Sequence, residues 1–206
     1  MLGEQNKKGL LIVFSAPSGG GKDTILAKLE GASDLCRSIS MTTRAKREGE
    51  KDGVDYYFVT PEYFLKKLEQ GQILEYTNYN GNYYGTPKSA IDDWLKSGKT
   101  VILKIEVEGA ENIKKLYPDS VGIFVVPPSM KILEERLRSR SSETEDEIQS
   151  RMTIAKNELK HSVNYDYIVV NDVLEDAIND IKAIIRSEKH KTERSKNIIR
   201  EVINNA

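Results

Sequence analysis

Three consecutive glycines, Gly19, Gly20 and Gly21, stand immediately before Lys22. An apolar run from Leu10 to Phe14 stops at Ser15-Ala16-Pro17-Ser18 just ahead of them, and Ile25, Leu26 and Leu29 begin a helical pattern just after. Glycines let backbone N–H groups turn inward around phosphate oxygens, and the following helix N-terminus adds partial positive charge. The lysine then reaches the outer phosphates of a bound nucleoside triphosphate. Ala16, Pro17, Ser18, Gly19, Gly20, Gly21, Lys22, Asp23 and Thr24 therefore read as a cradle for ATP or GTP, with the reaction left open. A plain glycine turn is the alternative; strand, lysine and helix in the required places oppose it.

The loop departs twice from the pattern G-x-x-x-x-G-K-[ST]. Ala16 replaces the first glycine, and Asp23 follows the lysine, with Thr24 one position later. A carboxylate cannot reproduce a hydroxyl ligand to magnesium. Either Asp23 binds the ion, directly or through water, or Thr24 substitutes.

A second group of residues could hold a second phosphate. Arg44 and Arg47, three apart on the polar stretch Thr42–Asp55, can fork onto one phosphate monoester, and Tyr56 and Tyr84 can donate phenolic hydrogen bonds to it. A solvated charge run is the bland alternative. RNA contact is another, but the interleaved Glu48, Glu50, Asp52 and Asp55 oppose a polyanion.

These residues need a scaffold. The chain has 206 residues, 38% hydrophobic and 31% charged, with a formal charge of -1. That suits one α/β core with a smaller inserted lobe, and gives no basic excess for bulk nucleic-acid binding. A single cysteine, Cys36, excludes an intramolecular disulfide, and with only His161 and His190 beside it a structural zinc site is not expected. No apolar run is long enough for a membrane span or signal peptide, so the expected location is the cytoplasm.

Strands are expected at Leu10–Ser15, Val101–Val107, Val121–Val126 and Tyr167–Val170, the last buried like the others. Helices between them include Asp23–Glu30, ended by Gly31, then Gly109–Leu116, one capped by Ser129 and carrying Leu133 and Leu137, one with Ile148, Met152, Ala155 and Leu159, and Val173–Ile185. Ile198, Ile199, Val202 and Ile203 suggest a final amphipathic helix. Between the first two core strands, short strands are expected at Arg37–Met41 and Tyr56–Val59. A helix capped at Thr60-Pro61 with Phe64, Leu65 and Leu68 inward follows, then Ile73–Tyr79 turning at Asn80-Gly81 into Asn82–Gly85. Thr86-Pro87 repeats the cap signal before Ile91, Trp94 and Leu95. Strands alternating with helices argue for a parallel sheet with helices on both faces. Ligands then sit at the carboxyl ends of the strands, which gathers the glycine loop, Glu106 and Asn171 around one crevice.

Residues 40–57 (SMTTRAKREGEKDGVDYY) and 75–87 (EYTNYNGNYYGTP), with the loop, the IEVEG at 105–109, the PPS at 127–129, the arginines near 136–151 and the VND at 170–172, closely resemble guanylate kinases. The resemblance runs from about residue 9 to about 187. It implies a parallel-sheet P-loop core (1–36 and 91–206), a mobile lid at about 136–151, and an inserted mixed α+β GMP-binding lobe (37–90). It also implies transfer of the γ-phosphoryl group of ATP to GMP, giving ADP and GDP, with magnesium. Arg44, Arg47, Tyr56 and Tyr84 become GMP phosphate ligands. Glu75 becomes the base reader, since one carboxylate can accept both donors that guanine presents side by side, and adenine offers no such pair. Ser40 and Thr86 match hydroxyl contacts to guanine, and Glu106 a carboxylate near the phosphates and magnesium.

Phosphoryl transfer needs charge stabilisation rather than a protein nucleophile. By the same resemblance Lys22, Arg44, Arg136, Arg140 and Arg151 carry that charge, the last three from the lid and its following helix, with Ser141 where the family often has glycine. Asn171 matches an adenine contact but is equally placed to cap the next helix. Many members carry an acid where this chain has Lys104. Lys104 is expected to pair with Glu106 or Glu75, and in the latter case to compete with guanine. Two other readings stand beside a GMP kinase: a phosphopeptide-binding scaffold, disfavoured by the retained Gly21-Lys22 and lid arginines, and a kinase acting on a ribose phosphate, disfavoured by Glu75 and the GNYYGT block.

Overall fold

A computed structural model describes residues 8–29, 35–79, 81–89, 91–139 and 144–204. The first apolar run forms β1 (Leu10–Ser15), buried along its whole length, and α1 (Lys22–Leu29) follows the glycine loop. The expected strand at Arg37–Met41 is instead two. β2 (Leu35–Ser38) joins the core sheet, and β3 (Met41–Thr42) pairs with β4 (Tyr57–Phe58) in a second sheet. The core sheet therefore reaches to Ser38, past the boundary expected at residue 36. Thr60 caps α2 (Pro61–Glu69), accepting from the Tyr63 amide at 3.2 Å. Phe64 is buried beneath it, whereas Leu65, expected to face inward, is exposed.

β5 (Ile73–Tyr79) pairs antiparallel with β6 (Asn82–Pro87). β6 runs through Thr86 and Pro87, so that pair is not a helix cap; α3 (Ile91–Lys96) starts four residues later. Strand propensity and the pairing of Thr86 with Glu75 override the local cap signal. β7 (Thr100–Lys104) ends before Glu106, which stands at the N-cap of α4 (Val107–Leu116). Then come β8 (Val121–Val126), α5 (Met130–Arg138) capped by Ser129, α6 (Glu145–Lys160) with a Thr144–Glu147 capping box, and β9 (Tyr167–Val170). The helices α7 (Leu174–Lys189) and α8 (Thr192–Asn204) close the chain. The expected Gly31, Asn80 and Ser141 features lie outside the described residues.

The core sheet is parallel, in the order β2-β7-β1-β8-β9. Successive side chains of β1 and β7 enter opposite faces. Leu10, Ile12, Phe14 and Ile102 pack with Ile25, Leu26, Ile178 and Ile181; Leu11, Val13, Val101 and Leu103 pack with Ile91, Ala110 and Ile113. Burying each such side chain contributes about 1.5–3 kcal/mol. β9 is an edge strand with Ile168 and Val170 exposed, contrary to its expected burial, because a strand at the sheet's end is covered on fewer sides. α8 leaves Ile199, Val202 and Ile203 exposed. The second sheet, in the order β4-β3-β6-β5, has its own small core of Met41, Phe64 and Ile73, and α5 packs on α6 through Leu133, Leu137, Ile148, Met152 and Ala155. Among the described residues no helix is long and apolar enough to cross a membrane. Chain order reverses beside β1, so a crevice opens at its carboxyl end.

Candidate active site

The crevice is built on the end of β1. Ser15 Oγ donates to the Ile105 carbonyl at 2.8 Å, tying the exit of β1 to the segment after β7. The loop then turns through Gly19 and Gly21, both at positive φ (86° and 91°), a conformation that disfavours any side chain. At Gly21 a Cβ would also run into the Asn171 amide, whose Nδ2 donates to the Gly20 carbonyl at 3.0 Å. Asn171 thus braces the loop, and it does not cap α7, whose N-cap position is Val173. Its own carbonyl accepts from Arg136 at 2.9 Å.

Lys22 opens α1 and donates to Glu106 Oε1 at 3.2 Å. Burial alone would lower the lysine's pKa, but Glu106, Tyr56 and Asp23 outweigh it and raise the pKa above the ordinary range. The ammonium therefore keeps its charge through the neutral range. Glu106 makes no side-chain cap bond to α4, so its carboxylate is free to serve Lys22.

Ser18 is held from a different direction. Its amide donates to Glu158 Oε2 at 3.0 Å, and its hydroxyl accepts from Arg151 Nε at 2.9 Å. Arg151 and Glu158 are seven residues apart on α6, two turns along one face. Burial, with Glu106 adding, pushes the Glu158 carboxyl up to about 7, against the opposing Ser18 amide, Lys22 and Arg151.

Across the crevice, Arg44 lays its guanidinium fork on Glu50, at 2.7 and 3.0 Å, and the Arg47 amide donates to the same carboxylate at 2.8 Å. The Arg44 guanidinium lies 5.6 Å from the Tyr56 ring centre, and Tyr84 meets Tyr56 edge-on at 5.9 Å. Loop residues 16–24 share one cavity of about 340 Å3 with Arg44, Arg47, Tyr56, Tyr84, Glu106 and Arg151. A smaller recess joins Ser40 and Glu75 to Tyr56, Tyr84 and Glu106. Within it Glu75 is 7% exposed and accepts the Thr86 hydroxyl at 2.5 Å. Burial pushes its carboxyl up to about 7, with Thr86 opposing and Glu106 adding.

Fifteen of the expected residues thus line the main cavity, with Ser40, Glu75 and Thr86 at the recess beside it. Asn171 sits behind the loop, and Arg136 is turned onto Asn171 outside both cavities. Arg140 lies outside the described residues. Lys104 pairs with neither Glu106 nor Glu75. Its Nζ donates to Asp23 Oδ1 at 3.0 Å and lies 4.3 Å from the Tyr56 ring centre. β7 ends at Lys104, so the side chain emerges toward the N-terminus of α1 instead of along a face shared with Glu106.

Three participants receive no role from the sequence: Glu50 as the partner of Arg44 and Gly109 beside Glu75, although both lie in the matching blocks, and Glu158 as the partner of Ser18. The seven-residue spacing between Arg151 and Glu158 is a signal only once Arg151 is known to face the loop.

The guanylate kinase family model matches residues 8–188. The chain is 47% identical over 191 residues to a guanylate kinase of Shouchella clausii, covering 92% of this chain and 93% of that one. It is 46% identical over 196 residues to one of Clostridioides difficile, covering 95% and 96%. A crystal structure of guanylate kinase from Anaplasma phagocytophilum aligns with a TM-score of 0.78 at 35% identity, over 92% of this chain and 90% of that one.

Proposed function

The chain belongs to the guanylate kinase family, and from that premise we propose that it transfers the γ-phosphoryl group of ATP to GMP, giving ADP and GDP. The observation that carries the choice of acceptor is Glu75, a carboxylate enclosed beside Ser40 and Thr86 in a recess opening next to the phosphate loop. Guanine offers a ring N–H and an exocyclic amine that one carboxylate can accept together. A ligand without that pair leaves a buried polar group unsatisfied, which can cost 10⁴–10⁵ in discrimination.

In this reading Arg44, Arg47, Tyr56 and Tyr84 hold the GMP phosphate, and the glycine loop with Lys22 holds the triphosphate of ATP. A GMP phosphate oxygen attacks the γ-phosphorus, the bond to the β,γ-bridging oxygen breaks, and ADP leaves with its electrons. Lys22 and Arg151 stabilise the charge spread over the transferring group. Arg44 must exchange Glu50 for the incoming phosphate, and its five N–H donors allow it to do so edge by edge. Arg136 and Arg140 keep the lid role that the family resemblance implies.

Magnesium enters with ATP. A small, hard cation of this kind would need only one or two oxygen contacts from the protein. Thr24, which borders the main cavity, would supply one; Asp23 is engaged by Lys104. When bound, the ion neutralises charge on the β- and γ-phosphate oxygens. The reaction belongs in the cytoplasm, where both nucleotides are available.

A coupled assay of ADP release with GMP, AMP, UMP and ribose phosphates as acceptors tests the reading. GMP should be preferred by at least about 10³-fold. Equal turnover on AMP would remove the role given to Glu75, and no turnover on any acceptor would leave a binding module.

A further inference from the structure

Three cations of the cavity are paired with carboxylates: Lys22 with Glu106, Arg44 with Glu50 and Lys104 with Asp23. Two of the three are expected phosphate ligands. Lys104 is the one without an assignment, and its position is unusual for a lysine. Its side chain is 9% exposed, whereas its partner Asp23 is 76% exposed. An ammonium group carries three N–H donors. Among the described residues Asp23 is its one hydrogen-bond acceptor, and the Tyr56 ring face covers another side. Enclosing a charge with donors to spare costs free energy unless a ligand completes its shell.

The surroundings say where that ligand lies. Lys104 borders both the main cavity and the recess of Glu75. Asp23 directly follows Lys22 at the donor loop, and Tyr56 stands beside Arg44 on the acceptor side. The amine is therefore held between the elements that bind the two phosphate chains.

Resting on the GMP kinase reading, we propose that Lys104 is a further phosphate-binding cation of the transfer step, held by Asp23 and Tyr56 until both nucleotides are present. Either nucleotide alone leaves its phosphate charge on one side of Lys104. Only joint occupancy concentrates negative charge between the two sites, where a point cation in an enclosed space interacts most strongly. Lys104, expected to pair with Glu106 or with Glu75, instead favours the ternary complex.

The test is calorimetric binding of three probes at one magnesium concentration: ADP, GMP, and adenosine joined to guanosine through five phosphates, which spans both sites. Wild-type binding of GMP and of the linked compound tests the parent reading, and comparison with the variants tests the role of Lys104. Lys104→Met, which keeps the packing on Tyr56, should weaken the linked compound at least tenfold and change ADP and GMP less than threefold. Lys104→Arg should restore the linked compound to within threefold. Lys104→Gln provides the same comparison if the methionine variant folds poorly. Unchanged affinity for the linked compound, or GMP alone weakened as much, would overturn the proposal.

Discussion

Gly109 and Glu75 occupy a space that admits only one side chain. A Cβ on Gly109, in the first turns of α4, would clash with Oε2 of Glu75 on β5. The absence of a side chain on a core helix thus makes room for the carboxylate that the neighbouring sheet presents to the recess. Helix propensity alone would favour alanine here by roughly 1 kcal/mol. Gly109→Ala is therefore expected to raise KM for GMP tenfold or more while leaving KM for ATP within about twofold. Steady-state kinetics with each substrate varied in turn check this; parallel rises in both constants would mean that the loop, not Glu75, had moved.

Glu75 sets a pH dependence with a definite sign. Its carboxyl is pushed up to about 7, so below that pH it holds a proton and loses an acceptor that guanine needs. KM for GMP should rise about tenfold from pH 8 to pH 6, as the ionised fraction falls from nine-tenths to one-tenth. GMP's own phosphate also titrates near 6, so Glu75→Gln serves as the control: its KM should be high and show a flatter profile.

The same shift acts oppositely on stability. Because the folded pKa exceeds the ordinary 4.5, the protonated carboxyl contributes stability that is complete below about 4.5 and lost as pH rises through about 7. Glu75→Gln should then stabilise the ligand-free protein at pH 8, by up to roughly 3 kcal/mol, while reducing kcat/KM for GMP by about 10³. Thermal melts at pH 5 and pH 8 read the first effect; a variant equally destabilised at both pH values would contradict it.

Lys22 opens α1 at the end of the glycine loop and donates to Glu106 at 3.2 Å. Lys22→Ala is expected to reduce kcat by at least about 10³ and to leave the dissociation constant of GMP within threefold. Equilibrium binding of GMP separates the outcomes, since a comparable loss of GMP affinity would place the lysine on the acceptor side.

Ser18 is joined to α6 by two bonds, from Arg151 and to Glu158. Removing the acceptor by Glu158→Ala leaves the Ser18 amide unsatisfied and Arg151 without its neighbour, at about 1–3 kcal/mol. KM for ATP should rise five- to fiftyfold, with KM for GMP little changed. Glu158→Gln retains an acceptor oxygen and should recover most of the loss, a rescue that a purely charge-based role would not allow.

Much of this protein was legible before any coordinates. The Leu10–Phe14 run, the glycines and Lys22 implied strand, loop and helix because each depends on local rules: burial of a continuous apolar run, positive φ at glycine, and an anion site at a helix start. The caps at Thr60, Ser129 and Thr144 are likewise local, although the third was not singled out. What local rules could not reach were relationships between distant segments. Thr86 looked like a helix cap until β5 supplied Glu75 as its partner. Tyr167–Val170 looked fully buried until the strand order put it at an edge. Lys104 could have met any of several carboxylates, and only the end of β7 against the start of α1 directed it to Asp23. The residue types determined by themselves which chemistry was available. The tertiary structure decided which charges face one another, because electrostatic partners are chosen by distance through space and sequence separation carries no record of it.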